Sequence, residues 1–78
     1  MVQAYILIQT EVGRAAAVAS DVAGLDGVTR AQDVTGPYDV IVQVQADDVE
    51  GLGRSVVSEV QKVPGITRTL TCPVVSAD

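Results

Sequence analysis

The side chains here that could do chemistry are few, and most are explained by structure. Nucleophilic catalysis needs a serine, threonine or cysteine beside a base, and the chain has no histidine. The single cysteine, Cys72, stands next to Pro73 late in the sequence, where it reads as a small apolar residue in or near the core. Asp47, Asp48 and Glu50 offer carboxylates for acid–base work, but together they mark a helix N-terminus, where the helix dipole favours negative charge. Gly51-x-Gly53 lacks the lysine of a phosphate-binding loop. One cysteine and scattered carboxylates form no zinc or iron site, so neither metal nor cofactor is expected. What remains is Gly36-Pro37-Tyr38-Asp39. A turn explains its glycine and proline, but not one of only two aromatic residues in the chain.

The elements that must position this loop follow from an internal duplication. A shift of 38 positions carries Gly27-Val28-Thr29-Arg30 onto Gly65-Ile66-Thr67-Arg68, and also pairs Gly13 with Gly51, Val18 with Val56, Ser20 with Ser58 and Val22 with Val60. Each half reads strand, helix, strand. Residues 2–10 alternate, with Val2, Ala4, Ile6 and Ile8 on one face and Gln3, Tyr5, Leu7 and Gln9 on the other. In the second half Val40, Val42, Val44 and Ala46 stand against Ile41, Gln43 and Gln45. A first helix is predicted over about residues 12–23, with Ala15, Val18, Ala19 and Val22 inward. A second begins at an Asp47 cap, with Glu50 completing an acidic capping box and Val49, Leu52, Val56, Val60 and Val63 as its buried stripe. Gly13 and Gly51 are read as permitting close helix-to-sheet packing. Strands follow at about 28–35 and 66–75.

The order βαββαβ with matched halves predicts an α+β, ferredoxin-like sandwich in a single domain spanning 1–78: a four-stranded antiparallel sheet with both helices on one face. The open face should carry Tyr5, Leu7, Ile41, Gln43, Gln45, Thr67, Thr69 and Thr71. Its two central strands put no charge there, which is the composition of an interface core. A domain this small is thinly stabilised and has no disulfide, so self-association is expected, with Tyr5, Leu7, Ile41 and Gln43 at the dimer interface. The net charge of −5 and five dispersed basic residues argue against direct nucleic-acid binding. The apolar runs are too short to cross a bilayer. A lone thiol and an N-terminus without a basic start suggest the cytoplasm. The roles of Arg30 and Arg68 stay open between anion binding and solvation.

Residues 23–28 (AGLDGV), 34–40 (VTGPYDV) and 63–71 (VPGITRTLT) together resemble the C-terminal effector domain, or RAM (regulation of amino-acid metabolism) domain, of the leucine-responsive/asparagine-regulator (Lrp/AsnC) transcription factors. The resemblance covers nearly the whole chain. Because the chain begins directly on the first strand, it implies a stand-alone effector domain without the helix-turn-helix domain usual in that family. It implies a regulatory binding module and not an enzyme, with sheet-to-sheet dimers assembling into octameric or decameric rings. Amino-acid effectors would sit between dimers, and full-length Lrp/AsnC regulators would be partners in mixed assemblies. The residues matching the effector site are Gly36, Tyr38 and Asp39, with Thr69 and Thr71 as last-strand hydroxyls. Asp39 suits an ammonium group, and the hydroxyls and backbone N–H groups near Gly36 suit a carboxylate. A purely structural homo-oligomer without an effector is the alternative, and a small dimeric ferredoxin-like enzyme a distant third.

Overall fold

A computed structural model describes residues 1–75. Its elements are β1 (Val2–Thr10), α1 (Ala15–Ala23), β2 (Val28–Asp33), β3 (Val40–Ala46), α2 (residues 49–61) and β4 (Ile66–Pro73). The strands form one antiparallel sheet in the order β2-β3-β1-β4. This is the expected ferredoxin-like architecture. Period-two alternation in β1 and β3 builds its core: Ala4, Ile6, Ile8, Val40, Val42 and Val44 are completely buried. Val18, Ala19 and Val22 of α1 and Leu52, Val56 and Val60 of α2 close over them. No polar side chain is buried among the described residues, so cohesion rests on apolar burial.

Several local expectations are corrected. Helix α1 starts at Ala15 rather than at residue 12, because Gly13 adopts φ +79° and turns the chain. Nothing lies within 4 Å of where a Gly13 Cβ would stand, so this glycine serves backbone conformation and not close packing. At Gly51 the tight neighbour is the Asp48 carboxylate, 3.0 Å from a built Cβ.

Asp48, not Asp47, caps α2. Its Oδ1 accepts the Gly51 N–H at 2.6 Å, while Glu50 pairs with Arg54 at 2.9 Å and completes no capping box. Asp48→Ala is expected to cost about 1 kcal/mol, the usual worth of an N-cap, against a few tenths for Asp47→Ala. Urea melts of the two variants check the assignment.

Helix α2 is continuous but not uniform. Leu52–Val57 forms a π-helical segment between α-helical Val49–Gly51 and Ser58–Gln61. Its buried residues Leu52, Val56 and Val60 recur every four positions, which overshoots a 3.6-residue turn; the wider turn absorbs the overshoot. Val49 falls off that stripe and is exposed, contrary to expectation.

Candidate functional site

Two surfaces carry the residues expected at a dimer interface and at an effector site. The first is the sheet face away from the helices. Paired residues on antiparallel strands share a face, so the register assigns it directly. One row across the sheet is Gln32, Ile41, Leu7, Leu70, and the next is Arg30, Gln43, Tyr5, Cys72. Tyr5, Ile41 and Leu70 remain 42%, 38% and 43% exposed, so a contiguous apolar patch lies on the two central strands and β4. Tyr5, Arg30, Gln32, Ile41 and Gln43 outline a shallow hollow of about 160 Å³ on it.

Strand β4 contributes the opposite residues to those expected. Thr69 pairs with Ile8 and Thr71 with Ile6, which places both hydroxyl residues on the helix side. Gln61 of α2 donates to Thr69 Oγ1 at 3.4 Å. Thr67 lies at a bulge opposite Gln9 and Thr10, its hydroxyl donating to the Gln9 carbonyl at 3.2 Å. The open face of β4 therefore presents Arg68, Leu70 and Cys72. Cys72 is exposed rather than a core residue. Arg30 and Arg68, equivalent in the two halves, occupy opposite edge strands of this face, and Asp33, the acidic residue within the four strands, pairs with buried Val40 on the helix side.

The second surface is the loop joining β2 to β3. Here the pairings are long-range. The Asp39 N–H donates to the Ile8 carbonyl and the Val34 N–H to the Asp39 carbonyl, each at 2.8 Å. The Asp39 carboxylate accepts the Thr10 N–H through Oδ2 at 2.8 Å, and Gln9 Nε2 donates to the Pro37 carbonyl at 3.1 Å. The loop is thus strapped to the end of β1. Gly36 is exposed; Tyr38 and Asp39 are partly buried.

Of the five residues matched to an effector site, the fold gathers three and separates two. Asp39 sits beside Ile8 on one flank of β1, and Thr69 pairs with Ile8 on the other. Two strand spacings put their backbones roughly 10 Å apart. Thr71 lies two residues farther along β4. Within one chain, Gly36, Tyr38 and Asp39 form one cluster and the threonines another. Among the described residues there is no group of three or more Cys, Asp or Glu that could hold a metal ion, and no helix long and apolar enough to cross a membrane.

A family model described as the Lrp/AsnC ligand binding domain matches residues 3–77. The chain belongs to that family. It is also similar to TTHA0845 from Thermus thermophilus, with 33% identity, coverage of 100% of this chain and 98% of that one, and a TM-score of 0.90. An uncharacterised HTH-type transcriptional regulator of Pyrococcus horikoshii, PH1916, is 32% identical over 54 residues. That match takes in 69% of this chain but only 36% of the regulator. The complex of the transcriptional regulator NMB0573 with L-Met, from Neisseria meningitidis, shares the fold at a TM-score of 0.81 and 19% identity, over 97% of this chain and 51% of that one. This Lrp/AsnC domain is therefore related to regulatory ligand-binding domains.

Proposed function

We propose that this Lrp/AsnC domain is a homo-oligomeric sensor of an amino acid, acting in the cytoplasm. In this reading the open sheet faces of two copies pair, with Tyr5, Leu7, Ile41 and Gln43 at the contact. Dimers then meet through their loop ends in an octameric or decameric ring, where full-length Lrp/AsnC regulators are candidate partners for mixed assembly. The effector lies at the Gly36–Asp39 loop, completed by Thr69 and Thr71 of a neighbouring copy, since one chain holds its threonines apart from the loop.

The observation that carries the ligand reading is the state of Asp39. Oδ2 is committed to the Thr10 N–H, while Oδ1 accepts no hydrogen bond among the described residues, leaving a positioned acceptor for an ammonium group. The L-Met complex of the Neisseria regulator favours the amino-acid class.

Because Asp39 also holds the turn, two substitutions separate its roles. Asp39→Asn keeps a side-chain oxygen for Thr10 but removes the charge. It should fold and oligomerise normally while losing the thermal shift produced by the effective amino acid. Asp39→Ala should in addition lose about 1–2 kcal/mol, because the partly buried Thr10 N–H is left without its acceptor. A thermal-shift screen of the twenty amino acids, alongside mass measurement in solution, is the test, since a ligand bound to the native state raises the melting temperature. An oligomer that responds to none of them would leave a purely structural role; a monomer would overturn both.

A further inference from the structure

The duplication supplies an internal control that separates what the fold requires from what it does not. An open cleft of about 530 Å³ lies between the Gly24–Asp26 turn and the π-helical segment of α2, and is lined by Gly24, Leu25, Asp26, Arg54, Ser55 and Glu59. It is at the opposite end of β3 from the Gly36–Asp39 loop, since Gly27 accepts the Gln45 N–H there at 2.8 Å.

In the other half of the repeat, the positions of Leu25 and Glu59 hold Val63 and Asp21, which preserve their character. The positions of Asp26, Arg54 and Ser55 hold Pro64, Ala16 and Ala17. The same architecture is thus built with two alanines and a proline where this cleft places a carboxylate, a guanidinium and a hydroxyl. All six of these positions are exposed, so the fold accepts either set and does not itself require the polar one.

The two walls also touch. A Cβ on Gly27 would stand 2.5 Å from Val56 Cγ2, so α2 rests directly on the turn. π-helical turns inside helices are often found at functional sites. Glu50 takes one Nη2 contact of Arg54, out of the five N–H donors a guanidinium offers. Glu59 is paired with Lys62 at 3.3 Å, whereas Asp26 has no ion-pair partner among the described residues. Adding Glu50 and Lys62 to the lining charges of Asp26, Arg54 and Glu59 leaves the cleft at −1.

We propose that this cleft is a second ligand site, independent of the Gly36–Asp39 loop, and that it takes a small basic amino acid. The ligand carboxylate faces Arg54 and Ser55, its ammonium groups face Asp26 and Glu59, and its net charge of +1 neutralises the cleft.

The test is a titration of the full chain with L-lysine, followed by amide resonances in ¹H–¹⁵N spectra, with L-glutamate as control. Saturable shifts are expected at Gly24–Gly27 and Arg54–Glu59 with L-lysine and not with L-glutamate. Asp26→Asn, and separately the double substitution Arg54→Ala/Ser55→Ala that copies the other half, should each weaken the response at least tenfold. Asp39→Asn should leave it unchanged, which separates this site from the loop. Absent or unsaturable cleft shifts, an equal response to L-glutamate, or undiminished affinity in both cleft variants would overturn the proposal.

Discussion

Leu7→Glu should reduce the mass of the protein in solution to that of a single chain at micromolar concentration. Leu7 is central in the row Ile41–Leu7–Leu70 on the open sheet face, and the two central strands place no charge around it. A carboxylate there would be desolvated on pairing, and the row it stands in, Gln32–Ile41–Leu7–Leu70, contains no cation to offset it. Leaving a charge unpaired in such a setting costs about 3–5 kcal/mol. At 1.4 kcal/mol per decade, that weakens pairing by roughly two to three and a half orders of magnitude. Ala17→Glu, an exposed position on α1, is the control and should leave the mass unaltered. Analytical ultracentrifugation of the two variants settles the matter; a Leu7→Glu protein with unchanged mass would move the pairing surface elsewhere.

Gly27→Ala should be the most destabilising glycine substitution in the chain. Its φ of +86° already penalises a side chain, and its Cβ would lie 2.5 Å from Val56 Cγ2 and 3.1 Å from the Gln45 carbonyl. The left-handed backbone costs about 1–2 kcal/mol and forced repacking about 1–3 kcal/mol. Together these amount to roughly 2–5 kcal/mol, or a melting point lower by about 8–40 °C at 4–8 °C per kcal/mol in a domain of this size. Gly13→Ala, where φ is +79° and the space is empty, should incur only the backbone penalty. Adding Val56→Ala to Gly27→Ala should recover part of the loss by removing the methyl that clashes. If Gly27→Ala melts no lower than Gly13→Ala, the close approach of α2 to the turn is not what constrains this position.

The sequence was most readable where both faces of a strand have unambiguous environments. In β1 and β3 every second residue is buried by the helices, so Ile6, Ile8, Val42 and Val44 identify the inner face and Tyr5, Leu7 and Ile41 the outer one. Strand β4 lies at an edge, and its polarity is inverted: Thr69 and Thr71 face the helix layer while Leu70 and Cys72 face out. Hydrophobicity alone cannot assign such a strand; its register against Ile6 and Ile8 can. Asp47 and Asp48 are chemically alike, and only the bond to Gly51 distinguishes the cap.

The Gly36–Asp39 loop stood out because a turn did not account for its tyrosine. Its attachment through Asp39 to Thr10 joins residues 29 apart and has no local signature. The cleft is less legible still. Asp26 and Arg54 come from different halves, and neither belongs to a recognisable motif until the fold sets the turn against the helix.

The strand order also governs how the chain can assemble. β2 pairs only with β3, and β4 only with β1, so the second strand of each half is held entirely by the first strand of the other. Neither half can complete a sheet alone. On the ribosome, β1 must wait with an unsatisfied edge until residues 66–73 have emerged, and closing that pairing spans most of the sequence. Such non-local closure slows folding and leaves a nascent chain open to exchange with its neighbour. Two chains that trade halves would regain every strand pairing, and the residue 34–39 connection is where the exchange would hinge.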